Sequence, residues 1–145
     1  MRVKPTINPE KIVQGRIVTF LREHGFFVNV VDSKAVFSHY ANRYLHGMAT
    51  KGFPDLVGVC PEEGLAFFCE VKSCESKLKS AIKKQPEQVK FLVNVIKKGG
   101  FGCYGFDERQ VFGLWGAFFT EKKENRQKYL LDQLRKYGAP EYHLI

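Results

Sequence analysis

Apolar residues at Val13, Ile17, Phe20 and Leu21, followed by His24, recur every three to four positions behind Asn8-Pro9. That spacing predicts a helix capped by Asn8, with proline in its first turn and Gly25 at its end. Residues 26–31 (FFVNVV) are rich in β-formers and predict a strand. Residues 32–52 show no steady period and read as a long loop with room for a helical turn; in a compact domain such a loop is more often functional than decorative. Residues 55–60 (DLVGVC) and 65–71 (LAFFCEV) are short apolar runs around Pro61-Glu62-Glu63-Gly64, the pattern of a β-hairpin.

A lysine-rich connector then leads to Gln85-Pro86, a second helix start. Gln88, Phe91, Leu92, Val95 and Ile96 give this helix one face, and Gly99-Gly100 stops it. Residues 101–106 (FGCYGF) and 111–114 read as further strands. Thr120 is expected to cap a last helix over residues 120–138, with Leu130, Leu131, Leu134 and Tyr137 inward and Gly138 and Pro140 closing it. The order α-β-(loop)-β-β-α-β-β-α, without repeats, predicts one α/β domain over residues 1–145, its core at about residues 9–114.

Composition sharpens this picture. A chain of 145 residues that is 44% hydrophobic and 26% charged can bury a core, and its net charge of +8 makes a polyanion the first partner to consider. The charge is unevenly placed. Residues 53–71 hold four acids and no Lys or Arg, whereas residues 72–98 hold eight lysines against Glu75 and Glu87. An acidic island next to a basic stretch is what carboxylates holding a cation, with lysines neutralising phosphates beside them, would produce. Glu62 and Glu63 are read instead as solvating the turn.

Cys60, Cys69, Cys74 and Cys103 form no C-x-x-C pair, and with the scattered histidines they disfavour a structural zinc site. Nothing reads as a signal peptide, and no apolar run approaches the length of a membrane span. A reducing, cytoplasmic compartment is therefore expected, that of a bacterial host if the gene is carried by a phage.

The hairpin carries the chemistry. With Pro61-Glu62-Glu63-Gly64 as the turn, antiparallel pairing puts Asp55 opposite Glu70, their Cβ atoms about 4.5–5.5 Å apart. Facing carboxylates repel unless something positive lies between them. A Mg²⁺ ion suits that place, because it takes oxygen ligands from one or two carboxylates, water and phosphate. Lys72 lies two residues past Glu70 and so on the same strand face, where it could hold or deprotonate water or stabilise charge at phosphorus. The other reading of this trio is a structural acid pair partly neutralised by a neighbouring lysine.

The ordered pieces Lys51-Gly52-Phe53-Pro54-Asp55-Leu56, Phe68-Cys69-Glu70-Val71-Lys72 and Gln88 opening an apolar helix resemble the PD-(D/E)XK nuclease superfamily. Within it the chain is similar to the virus-type replication and repair nuclease (VRR-NUC) family, over a stretch from the first helix to about Phe106. The resemblance implies a restriction-endonuclease-like core, a mixed central sheet flanked by helices, and Mg²⁺- or Mn²⁺-dependent hydrolysis of phosphodiesters. It implies metal ligands at Asp55, Glu70 and the Val71 main-chain carbonyl, a catalytic Lys72, and Gln88 near the site. It also implies a homodimer acting on branched DNA such as Holliday junctions, without a small-molecule cofactor. One departure stands out: where family members often carry a glutamate in the first helix, this chain has Gln14, and Glu10, one turn earlier on the same stripe, is a substitute ligand. Gln14 reads equally well as a polar residue at the core boundary.

Phosphate contacts are expected from Arg43, Lys51, Lys77, Lys79, Lys83 and Lys84. Tyr40, Tyr44 and His46 are candidates for stacking on a splayed base, though a packed or solvated loop is the commoner use of such residues. Residues 111–119 (VFGLWGAFF) have more apolar surface than one strand needs, which suits either a subunit interface or a core around Trp115. Three functions fit: a metal-dependent endonuclease for structured DNA in DNA repair or recombination, a structure-selective DNA-binding module that cuts poorly or not at all, and a restriction-type nuclease reading sequence.

Overall fold

The computed structural model describes residues 7–31, 36–38, 43–45 and 51–145, with the backbone alone described for 36–38 and 43–45. Helix α1 (Pro9–Glu23) starts as its sequence dictates, Asn8 accepting the Glu10 N–H through its side chain at 3.0 Å. It buries Gln14, Ile17, Val18 and Leu21. Strand β1 (Phe27–Val30) follows, and the Arg22 guanidinium reaches from α1 to the Val28 carbonyl at 2.7 Å. The segment read as a long loop with a helical turn carries two short strands, β2 (Val36–Ser38) and β3 (Arg43–Leu45), paired antiparallel as a separate ribbon.

The main hairpin is β4 (Leu56–Val59) and β5 (Ala66–Val71), in the register Leu56↔Cys69 to Val59↔Ala66. Glu63 at φ 62° and Gly64 at φ 64° close the turn. Glu63 does more than solvate it: its carboxylate takes Arg126 at 2.7 Å and Lys123 at 3.8 Å, which holds it below the usual carboxylate range.

After β5 the lysine-rich connector is in fact a helix, α2 (Glu75–Lys84), because Leu78, Ala81 and Ile82 form a buried stripe between the lysines. Helix α3 (Pro86–Lys97) follows at once and buries Val89, Leu92, Val93 and Ile96, leaving Phe91 and Val95 of the expected face half-buried. Strand β6 (Phe101–Gly105) runs parallel to β5. The sheet order is β1-β4-β5-β6, a mixed sheet flanked by helices in an α/β fold.

Residues 111–114 are helical, not a strand. They lie in α4 (Glu108–Thr120), whose start is set by Asp107 accepting from the Arg109 and Gln110 N–H groups at 2.8 and 3.3 Å. Val111, Leu114, Trp115 and Phe118 bury one face of it. Thr120 ends this helix instead of capping the next, its hydroxyl donating to the Gly116 carbonyl at 2.8 Å. The C-terminal helices are α5 (Lys123–Lys136) and α6 (Glu141–Leu144), separated at Gly138, φ 105°.

Side chains alternate on β5. Phe67, Cys69 and Val71 face α1 and α4, where Phe67, Phe101, Phe26 and Trp115 pack edge to face or stacked at 5.4–5.8 Å. Phe68 and Glu70 face α3, with Phe68 and Phe91 5.5 Å apart. The apolar run around Trp115 is thus used inside the subunit, and it no longer argues for an interface. All four cysteines are free, and no described helix is long and apolar enough to cross a membrane.

The strand packing makes a sharp test. A Cβ on Gly58 would stand 1.7 Å from the Phe27 carbonyl oxygen, so Gly58→Ala should cost at least about 3 kcal/mol in urea unfolding. Gly113 in α4 has open space around it, and Gly113→Ala should stabilise by roughly 0.5–1 kcal/mol. A well-tolerated Gly58→Ala would contradict the β1–β4 pairing.

Candidate metal and phosphate site

The hairpin register carries one step beyond Leu56↔Cys69, which sets Asp55 opposite Glu70 as the turn length requires. Two contacts hold Asp55 there: its carbonyl accepts the Val31 N–H at 2.8 Å, and its carboxylate Oδ2 accepts the Val71 N–H at 2.9 Å. The approach to Asp55 is also fixed. Gly52, at φ 85°, lies so close to α3 that a Cβ would fall 2.5 Å from the Glu87 carbonyl oxygen. The loop carrying Asp55 and the helix carrying Gln88 therefore meet backbone to backbone.

Glu70 is 5% exposed. Its Oε1 accepts from Gln88 Nε2 at 3.3 Å and lies 3.4 Å from Lys72 Nζ. Burial, with the Asp55 carboxylate adding to it, pushes the Glu70 carboxyl up to about 8 despite the opposing Lys72 charge. Lys72 is itself buried and also donates to Gln85 Oε1 at 3.3 Å. Gln85 is a functional candidate that sequence reasoning passed over: Gln85-Pro86 was legible only as a helix boundary, and its grip on Lys72 depends on how α2 meets α3.

Glu10 joins this group. Burial and the Asp55 charge raise its carboxyl pKa, and Lys72 pulls the other way, so both residues lie within its electrostatic reach. Gln14, read above as a boundary residue or ligand, is buried on the inner stripe of α1 with Ile17. The lysines of α2 divide. All four are exposed; Lys77 and Lys84 line a cavity of about 360 Å³ together with Glu10, Lys72 and Gln85, and Lys79 and Lys83 lie outside it. Lys51 is exposed beside Gly52. The side chains of Arg43 and Tyr44, and Tyr40 and His46 altogether, lie outside the described residues.

The residues present fit a hard divalent ion. Among the described residues no three His, Cys, Asp or Glu side chains converge on one point, so an all-protein cage of the zinc kind is absent. A facing carboxylate pair next to the Val71 peptide matches the sparser ligation of Mg²⁺, which keeps several waters. Two buried polar atoms near Glu70, Gln88 Oε1 and the Tyr104 hydroxyl, have no partner among the described residues, as expected where water completes a centre. Burial and the charges of Glu70 and Glu87 keep the Tyr104 phenol protonated, so it remains a donor.

The raised Glu70 pKa predicts how stability depends on pH in metal-free protein. Below 4.5 the carboxyl is protonated in folded and unfolded chains alike; between 4.5 and about 8 the folded chain binds the extra proton, so stability falls as pH rises. Glu10 acts in the same direction. Urea unfolding in a chelator should therefore lose a few kcal/mol from pH 5 to 8, and Glu70→Gln should flatten that slope. Equal slopes in the two proteins would show that Glu70 ionises freely. Compared with known proteins, the chain matches no family model, no curated protein and no solved structure.

Proposed function

We propose that the chain is a Mg²⁺- or Mn²⁺-dependent endonuclease of the PD-(D/E)XK type, related to the VRR-NUC nucleases, that hydrolyses phosphodiester bonds in branched DNA as a homodimer. The observation that carries this reading is the facing pair Asp55 and Glu70 with the Lys72 ammonium 3.4 Å from Glu70, beside a lysine-lined cavity. A divalent cation bound by Asp55, Glu70 and the Val71 carbonyl would supply Lewis acidity at the phosphoryl oxygen and acidify water.

The chain's own residues do the rest. Asp55 is locked by the Val71 N–H through one carboxylate oxygen, which leaves the other for the cation. Gln88 holds Glu70 in one orientation through its amide, and the cation's charge would return Glu70 to its ionised form. Gln85 positions the Lys72 ammonium, whose charge then faces the reacting phosphate, where negative charge develops as the bond breaks. Lys51, Lys77 and Lys84 supply contacts to backbone phosphates that do not depend on base sequence. Selection then rests on DNA shape, and the work is expected in a reducing cytoplasm.

The test is cleavage of labelled four-way, flap and linear DNA with Mg²⁺ or Mn²⁺. Asp55→Ala and Lys72→Ala should each lower cutting at least about a hundredfold, in line with losing one charge-stabilising group, while binding of the same DNA persists. Shape-selective binding without cleavage under either metal would leave a DNA-binding module that keeps the fold. Equal cutting by wild type and Lys72→Ala would remove the hairpin from the chemistry.

A further inference from the structure

Tyr104 has no part in the centre described above, yet it lies against it. In the parallel β5–β6 pairing it is the partner of Glu70, so the two side chains leave the sheet next to each other on one face. The residue is 2% exposed, and its hydroxyl feels the charges of Glu70 on the strand and of Glu87 in the first turn of α3. Gln88 follows Glu87 in that turn, which brings its amide into the same small region. A phenylalanine would fill the same space, so the hydroxyl is the informative atom. A buried phenol normally has a partner, and this one has none among the described residues. Gln88 Oε1 is orphaned in the same place. The first of these atoms is a donor and the second can only accept.

We propose that Tyr104 is a positioning residue for the metal centre: through one bridging water its hydroxyl donates to Gln88 Oε1, and so holds the Gln88 amide with its nitrogen toward Glu70. A glutamine amide is nearly symmetric in shape, so packing alone does not choose between its two orientations. A protonated carboxyl does not choose either, because it can donate as well as accept. A donor on the far side fixes Oε1 there and leaves Nε2, 3.3 Å from Glu70 Oε1, as the donor that an ionised carboxylate needs. Lys72 does not serve as that far-side donor; its ammonium is shared between Glu70 Oε1 and Gln85 Oε1. Gln88 and Lys72 both approach Glu70 at Oε1, which leaves Oε2 for the cation. Tyr104 thus tunes metal affinity without touching the metal, as outer partners of metal ligands do. The assignment rests on the nuclease reading for its cation and adds a residue of β6 to the centre.

A double-mutant cycle tests it, with Tyr104→Phe and Gln88→Met made singly and together in the full-length protein. In urea unfolding with EDTA, Tyr104→Phe should raise the unfolding constant about fivefold, the worth of one net hydrogen bond, and should leave it nearly unchanged when Gln88→Met is already present. Mn²⁺ affinity is read by electron paramagnetic resonance without DNA. It should fall about tenfold in Tyr104→Phe and show no further fall when the same change is added to Gln88→Met. Additive effects in either measurement overturn the proposal. So does coupled stability with an unchanged Mn²⁺ affinity, for Tyr104 then serves the fold alone. A wild type that binds no Mn²⁺ but shows the coupling in urea would retain the Tyr104–Gln88 link and refute the metal reading instead.

Discussion

Repulsion between two carboxylates, brought face to face where antiparallel strands leave them little water, organises everything around the hairpin. Burial first, and the facing Asp55 carboxylate second, make an ionised Glu70 costly in that position, and the folded chain answers with a raised Glu70 pKa. Each neighbour reads as a response to the same problem. Lys72 lends a positive charge, Gln88 satisfies one Glu70 oxygen, and the Val71 N–H stabilises Asp55. None removes the repulsion, which is why the arrangement suits a cation better than it suits a permanently empty structural pair.

The sheet gives this pair its setting. β5 is where strand pairing changes from antiparallel, with β4, to parallel, with β6. The carboxyl ends of β5 and β6 therefore lie side by side, joined by the Lys72 N–H to the Gly105 carbonyl at 2.8 Å. Ligands of open α/β sheets usually sit beyond the carboxyl ends of strands, and Lys72 and Ser73, just past β5, line the cavity beside α1 and α2. The helices then partition the work: α1 and α4 cover the face of Phe67, Cys69 and Val71, while α3 packs Phe91 on Phe68 across the other face and brings Gln88 to Glu70 there.

How much of this was legible depended on whether a short stretch of chain contained its own answer. The Asp55–Glu70 register was, because a turn length fixes antiparallel pairing without reference to anything distant. The first helix was, through Asn8, Pro9 and Gly25. Helix α2 was not, since its lysines outnumber the stripe of Leu78, Ala81 and Ile82 that makes it amphipathic. Residues 111–114 looked like a strand because valine and aromatic residues dominate; the cap at Asp107 and the recurrence of Val111, Leu114, Trp115 and Phe118 point to a helix only when taken over its whole length. Gln85 escaped for a deeper reason: its role arises from the contact of the α2–α3 junction with Lys72, which local spacing does not encode.

The close approach of Gly52 to the Glu87 peptide has a consequence for inheritance. A side chain at that position would push apart the segment bearing Asp55 and the helix bearing Gln88, so the two halves of the centre cannot drift independently. Gly52, Asp55, Glu70, Lys72, Gln85 and Gln88 form a fingerprint in space that random substitution would have to preserve as a block. Distant chains sharing the centre should be recognisable by that constellation even where the rest of their sequence has diverged beyond comparison.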